Sequence, residues 1–383
     1  MKRTLILTLW LAATGMNYAG EKQVTLQKTP DRGIQPQAAV DAKGTLHLLY
    51  FQGDPKAGNL MYVRREGAAF GRPLRVNSQD GSAIAVGTIR GGHLALGKNG
   101  RVHVAWNGSG QAMPKNPIAG SPMLYARLND AGTAFEPQRN LMTKTSILDG
   151  GGTLAADSQG NVYVAWHALG KGATPGEDNR KLWVSVSRND GKTFAAESPA
   201  WSEETGACGC CGVGGFADGK GNAFFLYRAA EQKTNRGMVL VRSADQGKSF
   251  AGLRLDSWKI DHCPMSSEAF AEGPTGVFAA WDTNGQIQFA KIQSSKLAAE
   301  TVKAAPGQAD NRKHPSLAIN KNGDLILVWT EGTGWNRGGA LAWQVYDKAG
   351  NPTSESGRRP GVIPVWGLPT VVAEMDGRFT ILH

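Results

Sequence analysis

The sequence lacks the features that mark helical, membrane-embedded and nucleic-acid-binding proteins. No stretch shows the period of about 3.6 residues that an amphipathic helix requires, and none after the N-terminal leader is apolar for long enough to cross a bilayer. The net charge is +10, yet lysine and arginine are scattered and form no basic run. A nucleic acid is therefore not expected as a partner, whereas a mildly cationic surface suits anionic glycans or carboxylates.

Glycine is abundant instead, with 50 among 383 residues, and it marks the turns of a repeated unit. The clearest copy begins at Gly151 and predicts three short strands, over residues 153–156, 162–167 and 182–187. The first two strands are joined by the tight turn Asp157-Ser-Gln-Gly160. Aspartate suits this turn because it can bond its own backbone, and glycine suits it because it tolerates a positive φ.

The unit recurs roughly every 55 residues along the chain. Its turn glycines are Gly44, Gly100, Gly160, Gly221, Gly276, Gly323 and Gly377. A large aromatic residue follows most of them at a constant distance, as Trp106 and Trp166 do. A period of this length, built only from short strands, is typical of a β-propeller in which each repeat forms one blade. The sequence therefore predicts an all-β propeller of four-stranded antiparallel blades.

The number of blades follows from the two ends of the chain. Six copies of the unit are complete, and residues 368–383 hold only the first two strands of a seventh. A lone strand is expected over residues 23–27, and its pairing with the C-terminal strands would remove an open sheet edge. Seven blades are favoured, with six as the alternative.

The first 20 residues have the form of a secretory signal peptide. Lys2 and Arg3 provide the basic end, residues 5–13 the apolar core, and Ala19 and Gly20 are small enough for cleavage. The apolar run is too short for a membrane anchor. We expect residues 21–383 to form a single propeller domain that acts in the periplasm or outside the cell.

Three hairpins carry a recognisable motif. Ser243-Ala-Asp245-Gln-Gly247-Lys-Ser-Phe250 matches the Asp-box pattern S-x-D-x-G-x-x-[FW]. Residues 187–194 match with Asn189 in place of the aspartate, and residues 128–135 lack only the serine. The chain thus resembles the BNR-repeat β-propellers of the sialidase (neuraminidase) superfamily. The resemblance implies a carbohydrate-active propeller that binds a glycan or small anionic ligand, with exo-sialidase-type glycoside hydrolysis as the activity.

Candidate residues for such a site lie in loops on the face from which the chain enters the innermost strands. Sialidases resemble one another in three arginines that clamp a carboxylate, and Arg32, Arg90 and Arg312 precede their strands here. His314 also enters at this end, and Asp54 and Asp149 are the candidate catalytic carboxylates. The family's Arg-Ile-Pro entry motif and its tyrosine nucleophile are missing, so whether the chain is an enzyme stays open.

Cysteine is rare, and all four cysteines fall in two entry loops of adjacent blades: Cys208, Cys210, Cys211 and Cys263. As disulfides in an oxidising compartment, they would form one bridge between the loops and one that involves the rest of residues 207–212. As a metal site, the thiolates with His262 and Met265 would suit Cu(I), or zinc without the methionine. The spacing is not expected to be that of the Cys-x-x-Cys pairs of zinc ribbons.

Three functions follow from these patterns. The leading hypothesis is an exported, sialidase-like propeller that binds an anionic or sugar ligand at the entry loops, with hydrolysis as a further step. The alternative is a non-hydrolytic copper-binding or thiol-redox propeller built on the two cysteine loops. A protein-binding scaffold fits any propeller and gives the cysteines no special role.

Overall fold

The computed structural model describes residues 23–67, 69–308 and 311–383. The predicted signal peptide lies outside the described residues. Seven sheets surround a central channel that is lined by the innermost strand of each sheet. The prediction of an all-β propeller with seven blades is confirmed, and the alternative of six blades is wrong.

The strands take corresponding positions in the seven blades. The innermost strands are Ile34–Val40, Gly92–Leu96, Gly152–Ala156, Val213–Ala217, Ala269–Gly273, Arg312–Ile319 and Thr370–Ala373. The second strands are Leu46–Asp54, Val102–Asn107, Val162–Gly170, Ala223–Arg228, Gly276–Thr283, Leu325–Glu331 and Phe379–Leu382. The third strands of blades 1 to 6 are Ala57–Glu66, Met123–Arg127, Lys181–Ser187, Met238–Ser243, Gln286–Gln293 and Gly339–Tyr346.

The outer edges are less regular. The outermost strands are Ala69–Phe70 and Leu74–Arg75 in blade 1, and Ala298–Ala299 and Lys303–Ala304 in blade 5. Blades 2, 3, 4 and 6 each have one outermost strand, which in that order are Arg139–Asn140, Ser198–Pro199, Ala251–Arg254 and Pro352–Ile363. An extra strand, Thr145–Ser146, pairs with the second strand of blade 3. The 3-10 helices are Pro30–Arg32, Lys98–Gly100 and Glu177–Asn179. Among the described residues, no helix has the length and apolarity needed to cross a membrane.

Blade 7 closes the ring with strands from both ends of the chain. Val24–Gln27 pairs with Phe379–Leu382, from Val24 beside Phe379 to Gln27 beside Leu382, as the sequence predicts. The pairing is parallel, and the closing sheet has three strands because the N-terminus contributes only one.

Tight turns connect the first two strands of each blade. All seven predicted turn glycines have a positive φ, from 72° at Gly100 to 121° at Gly276. In blade 3, one carboxylate oxygen of Asp157 accepts the N–H groups of Gln159 and Asn161, each at 2.9 Å. Glycine is required in these turns because other residues rarely adopt that backbone conformation.

The cores lie between neighbouring blades. Trp106, Trp166 and Trp281, which follow three of the turn glycines, are fully buried. Trp106 of blade 2 packs in one cluster with Leu49 and Leu60 of blade 1. Since each blade buries its apolar surface against the next, the ring is a rigid support for its loops.

The hairpins between third and outermost strands use related turn chemistry. Asp245 accepts the Ser249 N–H at 2.9 Å, and Asn189 accepts the equivalent Thr193 N–H at the same distance. In blade 2 Asn129 accepts a backbone N–H in this way, whereas Asp130, which aligns with Asp245, pairs with Arg101. Membership of these turns in the BNR-repeat family stays a prediction.

The innermost strands run in the same direction, so the loops that precede them meet at one mouth of the channel. We call this end the entry-loop face. Gly151 of blade 3 donates its N–H to the Cys211 carbonyl of blade 4 at 2.8 Å. Gly212 of blade 4 donates to the Ser266 carbonyl of blade 5, also at 2.8 Å. The two cysteine loops therefore lie side by side, as the sequence predicts.

Candidate functional site

The loop with three cysteines is packed tightly against blade 3. A Cβ atom added to Gly150 would lie 2.5 Å from the Gly209 carbonyl oxygen, and one on Gly151 would lie 2.8 Å from the Cys211 carbonyl oxygen. Both positions are therefore restricted to glycine by close backbone approach. Asp149, which precedes this glycine pair, is thereby held at the edge of the cysteine loop.

Charged side chains surround Gly209 at the mouth of the channel. We call this group the charged rim; its members are Arg90, Asp149, Glu177, Arg180 and Arg236. Arg90 donates to a carboxylate oxygen of Asp149 at 2.7 Å, and Arg236 donates to Glu177 at 2.6 Å. The other Glu177 oxygen accepts the Gly209 N–H, also at 2.6 Å. With three arginines and two carboxylates, the rim has an excess of positive charge.

An exposed tryptophan lies beside the charged rim. Trp335, in the loop between the second and third strands of blade 6, is 45% exposed. Its ring centroid lies 5.8 Å from the Arg90 guanidinium carbon, and its ring packs against Gly87 of blade 2. The loop thus reaches across the mouth and places an aromatic face next to charged groups.

In the part of the chain that the structure describes, the three predicted arginines have no partner in common. Arg90 is in the charged rim, and Arg32 is exposed in the 3-10 helix Pro30–Arg32. Arg312 donates to Gln286 at 3.1 Å and pairs with Glu331 at 3.2 Å, between blades 5 and 6. These partners already hold the Arg312 guanidinium, so the described residues show no common carboxylate clamp of these three arginines.

The two predicted carboxylates lie in different surroundings. Asp149 is in the charged rim, with 45% of its side chain exposed. Asp54 lies in an exposed turn of blade 1, where it accepts the Lys56 N–H at 2.9 Å. Of this pair, only Asp149 is placed among other charged groups at the mouth.

The central channel is a small cavity with a mixed lining. It encloses about 390 Å³, and its lining mixes apolar side chains such as Leu94 and Phe270 with polar ones such as His93, Thr153, Ser267 and His314. His314 bonds Ser267 at 2.9 Å, and burial lowers its pKa to about 3, so the imidazole is neutral. This size falls at the lower end of small-molecule sites.

Glu268 is an unusual wall residue of this channel. Both of its carboxylate oxygens are buried and have no hydrogen-bond partner. Burial, together with the nearby Cys211 and Asp282, raises the pKa of Glu268 well above its ordinary value. Burial therefore favours the protonated form of this side chain, which lies beside the cysteine loop.

The four cysteines form one cluster. Cys210 and Cys263 are joined by a disulfide between the two loops, with their Cα atoms 6.3 Å apart. Cys208 and Cys211 are free and buried, and their sulfurs lie 2.6 Å apart. The Cys208 sulfur also lies 3.4 Å from that of Cys210. Cys208 and Cys211 are spaced as one Cys-x-x-Cys pair, but Cys263 has no second cysteine at that spacing, so the arrangement is not that of a zinc ribbon.

The two free thiols have different environments. Burial opposes ionisation of Cys208, but the hydrogen bond from Cys211 and the charge of Arg236 outweigh it and lower the pKa of Cys208. Burial and the neighbouring Cys208 raise the pKa of Cys211 well above its ordinary value. Cys208 is therefore the more nucleophilic sulfur of the pair.

The predicted metal ligands are only partly assembled. Among the described residues, the sulfurs of Cys208, Cys210 and Cys211 lie within 4.8 Å of one another. His262 is outside this group: its side chain is 73% exposed and contacts Asp261 at 3.2 Å. Met265 is partly exposed. Because Cys210 is already bonded to Cys263, the group offers two free thiols, and copper binding stays a prediction.

Sequence reasoning missed four residues of this mouth: Glu177, Arg180, Arg236 and Trp335. All lie in the long loops between second and third strands, over residues 168–180, 229–236 and 331–339. These loops are rich in glycine, proline, asparagine and lysine, which marks them as a rim but singles out no residue. The signal that could have found these four residues was the presence of charged and aromatic side chains in the longest loops.

Comparison with known proteins supports the architecture. No protein-family model and no curated protein sequence matches the chain. An α-L-arabinanase of Penicillium chrysogenum, solved with arabinobiose, is 14% identical, with a TM-score of 0.52 over 84% of this chain and 95% of that one. A leech intramolecular trans-sialidase is 8% identical, with a TM-score of 0.50 over 87% of this chain and 78% of that one. These likenesses establish the fold alone.

A third neighbour is less similar in structure. A Hadza microbial sialidase is 12% identical, with a TM-score of 0.49 over 85% of this chain and 71% of that one. The structural neighbours named here are sialidases and other enzymes that act on sugars. At this level of identity, the residues of the entry-loop face must be interpreted on their own chemistry.

Proposed function

We propose that the protein is exported and binds a sugar ligand with an anionic group on its entry-loop face. The observation that carries the proposal is the Arg90–Asp149 pair beside the exposed ring of Trp335. Sugars stack their apolar faces on aromatic rings, and the excess positive charge of the rim favours a ligand that carries an anionic group. Export is supported by the Cys210–Cys263 disulfide, which fits an oxidising compartment.

The charged rim favours binding over hydrolysis. A glycosidase needs two carboxyl groups, one of which must carry a proton that it donates to the leaving group. Asp149 and Glu177 flank Gly209, but each is held by an arginine. Hydrolysis is therefore the further step to be tested, and binding is the primary function.

The test is titration of the purified mature chain with 3′-sialyllactose, lactose and arabinobiose, followed by tryptophan fluorescence and calorimetry. We expect 3′-sialyllactose to bind more tightly than neutral lactose because of the excess positive charge. Trp335→Ala should weaken binding about ten-fold or more, since it removes the ring on which the sugar stacks, and Arg90→Ala should weaken binding of 3′-sialyllactose because it removes one of the three positive charges of the rim. Arg188→Ala, in an exposed turn on the opposite face, is the matched control.

Two results decide the outcome. Equal affinity for the three sugars, or binding that survives Trp335→Ala, would contradict the proposed site. Release of 4-methylumbelliferone from a sialoside, lost in Asp149→Asn, would add hydrolysis to the function.

A further inference from the structure

The cysteine cluster combines two arrangements that rarely occur together. A disulfide, Cys210–Cys263, has one exposed and one half-buried cysteine, and a free pair, Cys208 and Cys211, is fully buried behind it. A disulfide of this span stabilises the fold by itself, but a bridge with a purely structural role has no need of two free thiols in contact with it.

The distances suit exchange between the two pairs. The Cys208 sulfur lies 3.4 Å from the bonded sulfur of Cys210 and 2.6 Å from that of Cys211. Thiol–disulfide exchange proceeds by direct attack of a thiolate on one sulfur of a disulfide. Cys208 is therefore placed between the bond it can attack and the thiol that can in turn attack it.

Buried positive charge surrounds the same sulfurs. Arg236 pairs with Glu177 through one nitrogen, but its Nε and second terminal nitrogen are buried without a hydrogen-bond partner. Arg228, also fully buried, bonds Ser266 at 2.8 Å, three residues beyond Cys263. Guanidinium groups near a cysteine favour its thiolate, which is the form that attacks.

We propose that the four cysteines form a thiol–disulfide exchange site, in which the disulfide moves between the surface pair and the buried pair and is passed to a dithiol of another polypeptide. In the first internal step, the Cys208 thiolate attacks the Cys210 sulfur. A Cys208–Cys210 bond forms, the Cys210–Cys263 bond breaks, and Cys263 leaves with the electron pair and takes up a proton.

The second internal step returns the cluster to a stable pair. The Cys211 thiolate attacks Cys208, a Cys208–Cys211 bond forms, and Cys210 leaves as a thiolate that is then protonated. One disulfide and two thiols exist before and after, so neither step needs an oxidant. In the transfer, a partner dithiol attacks the exposed Cys263; the partner is oxidised to a disulfide, and the protein disulfide is reduced to two thiols.

Slow alkylation of the native full-length chain tests the internal steps. Iodoacetamide alkylates Cys263 irreversibly whenever exchange releases it as a free thiol. Mass spectrometry of the digest then identifies the alkylated and the disulfide-bonded cysteines. We expect Cys263 to be alkylated about ten-fold faster or more in wild type than in Cys208→Ser, which lacks the attacking sulfur. Cys211→Ser should retain this labelling and trap the Cys208–Cys210 bond, since it lacks only the second nucleophile.

Further variants keep the test decisive. Cys208→Ala serves if Cys208→Ser does not fold, and circular dichroism and retention of the Cys210–Cys263 bond report folding. Labelling of Cys263 at the same rate in wild type and both Cys208 variants would overturn the internal exchange. Stoichiometric retention of Cu(I) or zinc by the reduced chain, with no labelling of Cys263 in the oxidised chain, would overturn it in favour of a metal site.

The transfer step has its own measurement. A reduced synthetic peptide with a Cys-x-x-Cys sequence is mixed with the oxidised chain, and peptide disulfide is quantified by chromatography. We expect one disulfide transferred per chain, and none from Cys263→Ser, in which the exposed bond cannot form. No transfer from wild type over hours would overturn the assignment of a dithiol partner.

Discussion

Removal of the disulfide between the two entry loops is expected to destabilise the propeller strongly. The Cys210–Cys263 bond spans a sequence separation of 53 residues, which includes all strands of blade 4. A cross-link of this span removes loop-closure entropy from the unfolded chain and stabilises the native state by about 4 kcal/mol. Cys263 is exposed and Cys210 is half-buried, so serine at both positions leaves no deeply buried hydroxyl group without a hydrogen-bond partner.

The assay is equilibrium unfolding by guanidinium chloride of wild type and of the Cys210→Ser/Cys263→Ser double variant. Wild type treated with excess reductant is the matched control, because it loses the same bond without a substitution. With reductant present, so that Cys208 and Cys211 stay as thiols, the wild type and the double variant should unfold at the same denaturant concentration. A loss below about 1 kcal/mol would refute the chain-entropy reasoning.

The same measurement distinguishes the two positions of the disulfide. A bond between Cys208 and Cys211 closes a loop of only a few residues, which constrains the unfolded chain far less. We expect the chain with the buried bond to be about 2 kcal/mol less stable than the chain with the surface bond. Both should remain more stable than the fully reduced chain.

Two further predictions concern polar groups that hold turns and loops. Asp245→Ala should lower the free energy of unfolding by about 1 kcal/mol because it removes bonds to the Lys248 and Ser249 N–H groups. Asp245→Asn should leave the free energy of unfolding nearly unchanged in the same guanidinium chloride assay, since asparagine makes the equivalent bond at Asn189. Glu197 is buried, and although burial would raise its pKa, bonds from Lys144 and Thr143 lower it below the ordinary 4.5. The contribution of the Glu197 carboxylate to stability should be complete above pH 4.5 and should be lost as the pH falls through the lowered native pKa. Glu197→Gln should lack this acid-dependent loss. Unfolding curves recorded at several pH values would detect the difference.

The fold could be predicted from the sequence because the signals that specify it are local and repeated. A turn glycine such as Gly160 must adopt a positive φ in every blade, so its spacing reports the blade period directly. The buried aromatic after it, such as Trp166, fills the same space between blades each time. The closing sheet was also predictable, because an unpaired strand at each end of a ring has one natural partner.

The site was predicted only where local constraint extends to it. Asp149 was named only as one of two acidic candidates, with nothing in the sequence to separate it from Asp54, whereas the cysteines were placed together because they are rare and confined to two adjacent loops. Arg312 was assigned to the mouth by the same entry-loop rule, but its pairing with Glu331 depends on the side chain of another strand. Glu177 and Arg236 reach the mouth through irregular loops that follow no repeat, so their convergence on Gly209 has no sequence period. A propeller repeats its scaffold and varies its loops. The residues that give this chain its own chemistry therefore lie in loops whose sequences do not follow the repeat.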